Sequence, residues 1–518
     1  MTVTPQEAAD HGAAEADYFD VLIVGAGISG IDAAYRITER NPQLSYAILE
    51  RRARIGGTWD LFRYPGVRSD SSIFTLSFPF EPWTRKEGVA DGVHIREYLT
   101  ATAHKYGIDR HIRFNSYVRS ADWDSTSDTW TVTVEDGARD GERKLYRARF
   151  LFFGSGYYNY DEGYTPDFPG IEEFTGTVVH PQHWPEDLDY TGKKVVVIGS
   201  GATAVTLLPS LSDRAAKVTM LQRSPTYLIS ASKYGKVAAV ARKVLPRKPA
   251  HLVIRMYSAL TEAVFFALSR KAPRLVRWLL RRKAINSLPP GYAVDIHFKP
   301  RYNPWDQRMC LIPDADLYNA ITAGRADVVT DHIDHFDATG IALRSGAHLD
   351  ADIIITATGL QLQALGGATI SLDGNEIKTN DRFVYKAHML EDVPNLFWCG
   401  LHQRVVDAAG RHHRPGDGKT IGAHDDSRLH ARLPTSRQRA DDREAVVGHQ
   451  RRVCTALGAR AAEVGHQAAL ESAAELPRRR HRLPLRPHRR GDGVRPGRRP
   501  GGAGRLIGGR RGELVNSF

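Results

Sequence analysis

Cysteine is scarce in this chain: Cys310, Cys399 and Cys454 are the only three in 518 residues. They stand far apart and form neither a CxxC redox pair nor a zinc-ligand pattern, so no metal site is expected. Their scarcity excludes a disulfide-stapled secreted scaffold and fits a reducing, cytoplasmic compartment. No basic segment followed by an apolar core precedes the first predicted strand, so no secretion signal is read. No apolar run is read as long enough to span a bilayer. The nearest is a helical stretch from about 252 to 283, where Ala263-Val264-Phe265-Phe266-Ala267-Leu268 is followed by Arg270, Lys271, Arg274, Arg277, Arg281, Arg282 and Lys283. Such a basic amphipathic stretch could contact a membrane peripherally. The favoured expectation is a helical insertion packed on the second domain with its basic face in water.

Residues 401–518 lack aromatics, apart from Phe518, and lack lysine, apart from Lys419. That segment holds 25 of the 71 Lys and Arg residues and 12 of the 59 Asp and Glu residues, a net charge of +13, while residues 1–400 carry −1. The formal +12 of the whole chain therefore belongs to the tail, and the body is neutral. Little in the tail could build a core, and it is expected to be unstructured. Without an RGG-type repeat, a helical stripe or interleaved aromatics, the tail gives no ground for expecting nucleic acid as a partner.

Two glycine turns are present. Gly25-Ala26-Gly27-Ile28-Ser29-Gly30 follows the apolar run from Asp20 to Val24, and Gly199-Ser200-Gly201-Ala202-Thr203-Ala204 follows Val195 to Ile198. Each run reads as a buried parallel strand, and each turn leads into a stretch with helical spacing. Glycines there permit a tight turn and close approach of a pyrophosphate, which meets free N–H groups at the helix start. Gly25, Gly27 and Gly30, with Gly199, Gly201 and Thr203, are thus candidate cofactor-binding residues. Glu50, twenty residues after Gly30, ends the run Tyr46 to Leu49 and could accept hydrogen bonds from both ribose hydroxyls, a position that disfavours a 2′-phosphate. At the equivalent place after the second turn stands Arg223, whose guanidinium suits a 2′-phosphate. FAD is therefore assigned to the first site and NADPH to the second, the alternative for both residues being an ordinary solvated strand end.

The expected fold class is α/β, with two Rossmann-like dinucleotide-binding domains. Residues 1–16 are expected to be disordered. The first part of the FAD domain is placed at 17–169 and the NADPH domain at 170–349, with a helical insertion at about 235–290. A return segment of the FAD domain is placed at 350–400, followed by the tail, 401–518. Trp123 and the alternating Trp130 to Val134 read as half-buried strands. Phe150 to Gly156, Asp352 to Gly359 and Asn395 to Gly400 each read as a strand running into glycine.

Between the two turns lies Phe174-x-Gly176-x-x-x-His180-x-x-x-Trp184-Pro185. Together with the turns, this stretch resembles the fingerprint of class B flavoprotein monooxygenases and, within them, the Baeyer–Villiger monooxygenases. N- or S-oxygenating flavin-containing relatives usually end the motif in Tyr or Phe, so Trp184 favours the Baeyer–Villiger group. Residues from about 18 to 400 are similar to the ethionamide-activating monooxygenase subgroup, including Tyr157 to Tyr164 and Pro304-Trp305-Asp306-Gln307-Arg308. The resemblance implies reduction of FAD by NADPH, reaction with dioxygen, and oxygen transfer to a ketone, with sulfides or thioamides as further substrates. It also implies catalytic roles for Arg308, a permanent cation beside the oxygenated flavin, and for Asp70, a carboxylate that orients it. The alternatives are a surface arginine and a helix N-cap. Gly57, Thr58, Trp59 and Asp70 join the expected cofactor contacts. Many ketone-oxidising relatives have Lys where this chain has Gln307, which leaves more of the phosphate contact to Arg223. His180 is read as a linker residue tying the domains together rather than a proton-transfer group.

Pyridine-nucleotide disulfide reductases share the nucleotide folds but need a cysteine pair at the flavin, and none exists here. Shifting the codons of Gly400 to Arg414 by one base permits Gly-Tyr-Thr-Asn-Ala-Ser-Trp-Thr-Leu-Arg-Ala-Asp-Ile-Thr, which resembles the family's segment at this point. The tail is therefore expected to be out of frame, and the literal chain to be poorly soluble and weakly active or inactive; the non-enzyme alternative is a damaged product that at most binds nucleotide. The natural substrate and the oligomeric state are not legible.

Overall fold

The computed structural model describes residues 16–139, 141–307, 309–379, 382–385 and 388–399. Arg308, residues 1–15 and the tail 401–518 lie outside the described residues.

The first unit opens with β1 (Asp17–Val24), α1 (Ile28–Arg40) and β2 (Tyr46–Leu49), followed by α2 (Thr58–Leu61), α3 (Ile73–Leu76) and α4 (Gly92–Lys105). It continues through β3 (Ile112–Arg113), β4 (Ser116–Asp124), β5 (Thr129–Asp136), β6 (Glu142–Phe153) and β7 (Tyr158–Gly163). Val21 to Val24 and all of β2 are buried, as expected of apolar strands covered on both faces. β1 pairs in parallel with β2 and with β6. β5 instead alternates half-buried and buried residues, and lies antiparallel between β4 and β6.

The second unit holds β8 (Thr177–Val179), β9 (Lys194–Ile198), α5 (Ala202–Leu211), β10 (Lys217–Gln222) and β11 (Leu228–Ala231). Then come α6 (Lys236–Val244), α7 (Arg247–Lys271), α8 (Pro273–Ser287), α9 (Val294–His297), β12 (Cys310–Pro313) and α10 (Asp316–Thr322). The unit ends with β13 (Ala326–Thr330), β14 (Ile333–Asp337), β15 (Gly340–Leu343), β16 (His348–Asp350) and β17 (Ile353–Thr356). Its main sheet runs β13-β10-β9-β17-β8, all parallel.

That order moves a boundary. Residues 350–356 were expected in the return segment, yet β17 pairs on both sides within the second sheet, where its four residues are buried. The return to the first unit begins beyond it, with β18 (Leu360–Leu362) pairing with β7 and β19 (Thr369–Leu372) pairing with β4. β20 (Asn375–Glu376), β21 (Val384–Tyr385), β22 (Met389–Leu390) and β23 (Leu396–Trp398) come next, and β23 joins β6 in parallel.

The helical stretch is not one helix, because Pro273 at the start of α8 separates it from α7. Nor does it pack on the second domain alone. Ala238, Ala241, Ala250 and Ile254 of α6 and α7 enter the core built on Val21, Ile23 and Phe74, whereas Ala284 of α8 joins the second unit's core. Sequence spacing reveals which helical face is apolar, but not which of two neighbouring cores receives it. One further expectation needs correction: α7 is 25 residues long and its most apolar 18-residue window has a mean hydropathy of 1.4, enough in length and composition to cross a bilayer.

Candidate functional site

The C-terminal ends of β1 and β6 converge on the first glycine turn. Gly25 adopts φ +99°, and a Cβ there would lie 2.8 Å from the Gly154 carbonyl oxygen. A Cβ on Gly30 would lie 1.9 Å from the Gly25 carbonyl, so the turn closes only with hydrogen at both positions. Gly27 differs. The nearest atom to its added Cβ is the Gly57 Cα at 3.6 Å, an ordinary van der Waals contact, so Gly27 is not sterically forced and instead lines the cleft beside Gly57. Gly57 itself has φ +55° and begins α2 with Thr58 and Trp59.

These residues bound a cleft of about 540 Å³, its open mouth included. Gly25, Gly27, Glu50 and Gly57 line it together with Tyr160 and Gly366. The cleft suits a dinucleotide: backbone N–H groups at a helix start on one side, a carboxylate at the adjacent strand end, and no Cβ at Gly25, Gly27 or Gly57, which line it. Glu50 is 3% exposed. Its Oε2 accepts from the Ala26 N–H at 2.6 Å and its Oε1 from the Arg52 N–H at 2.8 Å. Burial pushes its carboxyl above the usual range, and these two N–H donors partly offset the shift. Glu50 thus ties β2 to the turn while lining the cleft.

Sequence reasoning missed Asp60 in α2. It is 1% exposed and meets Arg52 at 2.7 Å, Arg54 at 3.2 Å, Arg63 at 2.7 Å and Arg96 at 3.3 Å. Burial opposes its ionisation, but the guanidinium groups, Arg52 foremost, hold the carboxyl below its ordinary range. Arg63 also reaches Glu186 at 2.9 Å, next to the linker. The run Arg51-Arg52-Ala53-Arg54 ahead of a single aspartate was the available signal. Tyr160 has no spacing of its own to mark it within the tyrosine-rich stretch from Tyr157 to Tyr164. It is half-buried where it lines the cleft, and desolvation first and the Glu50 carboxylate second raise its phenol well above the usual range.

Asp70 is half-buried in the loop before α3. The N-cap of that helix is Ser72, whose hydroxyl accepts from the Phe74 N–H, so Asp70 does not serve as the cap. Arg308, its expected partner, lies outside the described residues. The turn leading to it is constrained: Trp305 has φ +66°, a left-handed conformation unusual for a bulky side chain. Trp305 packs edge-on against Phe266 of α7, and Asp306 pairs with Arg270 at 2.9 Å.

The second turn repeats the logic of the first. Gly199 has φ +137°, and a Cβ there would sit 2.3 Å from the Ala357 carbonyl. Gly201 precedes α5, and Thr203 stands half-buried in its first turn. Gln222 is buried at the end of β10, donating to the His297 carbonyl and to Thr330 Oγ1 at 2.8 Å each. Arg223 follows it, just past the C-terminal end of β10, and is exposed.

The linker joins the two units. Phe174 is buried against Val196 and Ile354. A Cβ on Gly176 would lie 2.5 Å from the Asp352 carbonyl. His180 is half-buried; its Nδ1 accepts from the Gln182 N–H at 3.2 Å and its Nε2 lies 3.3 Å from the Gly359 carbonyl. That pattern selects the neutral Nε2–H tautomer, and burial lowers the imidazole pKa in the same sense. The ring covers Gly163, where a Cβ would meet it at 1.9 Å. Trp184 packs on a core that contains Leu61 and Phe62 from the first unit and Val195 and Val197 from the second.

The flavin-binding monooxygenase-like family model matches residues 19–387. The FAD-containing monooxygenase EthA of Mycolicibacterium smegmatis is 55% identical over 381 residues, 73% of this chain and 77% of that protein. The probable FAD-binding monooxygenase AlmA of Acinetobacter baylyi is 47% identical over 380 residues, 73% of this chain and 76% of its own. Among solved structures, an oxidised steroid monooxygenase bound to NADP has TM-score 0.56 and 26% identity, over 68% of this chain and 73% of that one. An open cyclohexanone monooxygenase has TM-score 0.62 at 20% identity, over 76% of this chain and 85% of that one, a likeness of fold. The matched residues contain both glycine turns and the linker described above, and the chain belongs to the flavin-binding monooxygenase-like family.

Proposed function

We propose that this protein is an FAD- and NADPH-dependent Baeyer–Villiger monooxygenase that converts a ketone, O2, NADPH and a proton into an ester, NADP+ and water. One observation carries the reading. Two glycine turns, with no room for a Cβ at Gly25, Gly30 or Gly199, end parallel-paired strands of two separate sheets, and the segment between them carries His180 and Trp184 just beyond β8. The relatives named for FAD, and the steroid monooxygenase bound to NADP, support the two cofactors.

FAD, when bound and reduced by NADPH, supplies the oxygen-activating chemistry. The chain's own residues bind, orient and shield. The Gly25–Gly30 turn receives the pyrophosphate of FAD and Glu50 its ribose. Gly57 lines the same cleft, with Thr58 and Trp59 following it at the start of α2. Arg223 takes the 2′-phosphate of NADPH, with Gly199, Gly201 and Thr203 beneath its pyrophosphate. Arg308 contributes a permanent positive charge at the flavin ring, and Asp70 orients it. His180 and Trp184 couple the two units.

The deciding measurement is NADPH oxidation under 18O2 with cyclohexanone, with mass analysis of the product, run on the 518-residue chain and on one with the frame restored after Gly400. One 18O atom in the lactone supports the reading, and its loss in Arg308→Ala with flavin reduction retained supports the assigned cation. A flavin-loaded protein that oxygenates a sulfide but no ketone would be an S-oxygenating enzyme instead. Sulfide and thioamide oxidation beside the ketone reaction belongs to the same proposal.

A further inference from the structure

The proposed chemistry leaves one large surface unexplained. Of the 24 large apolar side chains exposed among the described residues, 14 lie on the α6–α8 segment. On α7 they form a row at every fourth residue, Leu252, Met256, Leu260, Val264 and Leu268. On α8, Trp278 is 51% exposed. Residues 236–287 also contain 13 Lys and Arg against one acidic residue, Glu262. Glu262 is turned inward, where its Oε1 accepts from the Ser72 N–H at 3.4 Å and burial pushes its carboxyl up to about 7.

We infer that α6–α8 is a peripheral docking surface for an anionic lipid bilayer, with the apolar row entering the acyl boundary and the flanking cations meeting lipid phosphates. Apolar side chains and cations on one helical segment match such an interface from both sides, one by the hydrophobic effect and the other by charge. Three other occupants fit worse. A second copy would bring the same excess of cations against itself, and residues 401–518, at net +13, are repelled in the same way. Nucleic acid would satisfy the cations but leave the apolar row in water. A spanning α7 conflicts with its packing, because Ala250 and Ile254 are buried in the first unit's core and Arg255 donates to the Phe74 and Ser77 carbonyls, at 2.6 Å for Ser77. The helix lies on the fold lengthwise, which leaves its outer face for a membrane plane.

The test is co-sedimentation of the full chain with phosphatidylcholine vesicles, with and without phosphatidylglycerol, together with quenching of tryptophan fluorescence by brominated acyl chains. The basic tail could bind anionic vesicles by itself, but it contains no tryptophan, so quenching reports the folded body. The expected result is binding only to vesicles with phosphatidylglycerol, weakened by salt, with quenching that falls in Trp278→Phe. Partitioning should fall about tenfold or more in the exposed pairs Leu260→Glu with Val264→Glu, and Lys271→Glu with Arg274→Glu, with circular dichroism unchanged. No vesicle binding, or binding without quenching, would overturn the proposal. So would resistance to alkaline extraction, a concentration-dependent dimer abolished by the α7 pair, or equal displacement of the unaltered chain and both pair variants by DNA.

Discussion

At the scale of single residues, Arg223 and His180 make separable claims. Arg223 is exposed just after the buried Gln222, so its truncation costs the fold little. If it holds the 2′-phosphate, Arg223→Ala should raise KM for NADPH by about 10- to 100-fold, the worth of a hydrogen bond to a charged group, and leave KM for NADH unchanged. Steady-state kinetics with both nucleotides reads this directly. A proportional rise for both would show general damage to the site. His180 is neutral in the fold, and burial holds its pKa below the ordinary 6.5. Protonation is therefore disfavoured in the folded state relative to the unfolded one. The stability it contributes is complete above pH 6.5 and is lost as pH falls through the lower folded value. His251 adds a similar loss lower down, since burial first and Arg255 second bring it to about 4. Melting temperature should accordingly fall from about pH 7 towards about pH 5, and His180→Gln should flatten the upper part of that slope. An unchanged slope in the variant would remove His180 from the account.

Elements carried most of what the sequence disclosed and most of what it concealed. Buried parallel strands such as β1, β2 and β9 are short runs of Val, Ile and Leu, and β1 and β9 each end at a glycine whose conformation forbids a side chain, so both turns were legible. The fate of β17 was not, because a strand ending in Thr356-Ala357-Thr358-Gly359 has the same pattern whichever sheet it joins. The approach of Arg96 to Asp60 and that of Gly366 to the cleft depend on chain crossings that no local spacing encodes. Gly176 gives an element-level test. The Asp352 carbonyl that would meet its Cβ at 2.5 Å also accepts the Thr177 N–H at 3.0 Å, the bond that starts β8 along β17. Gly176→Ala must displace one or the other, at a cost of about 1–3 kcal/mol by analogy with overpacked cores. Urea unfolding should show a lower midpoint with the slope retained, and an unaltered midpoint would mean that β8 moves aside freely.

For the whole molecule, the decisive question is the reading frame of the chain beyond Gly400. β23 brings the chain back into the first sheet beside β6, with Leu396 fully buried and Phe397 2% exposed, so the core is still being completed when the described residues end. From 401 onward a single aromatic residue and a net charge of +13 offer almost nothing to continue it, and the family match stops at 387. We read that segment as translated out of frame. A restored frame would resupply apolar side chains, exclude water from the flavin cleft and favour oxygen transfer over release of hydrogen peroxide. The restored protein should therefore retain more FAD through gel filtration and melt at a higher temperature, because bound flavin stabilises the folded state by mass action. It should also couple more of its NADPH oxidation to ester, with less peroxide per NADPH. Flavin content, a thermal melt and a peroxide assay on the two chains side by side measure all of these. If the chains match in all three, residues 401–518 are a working part of the protein.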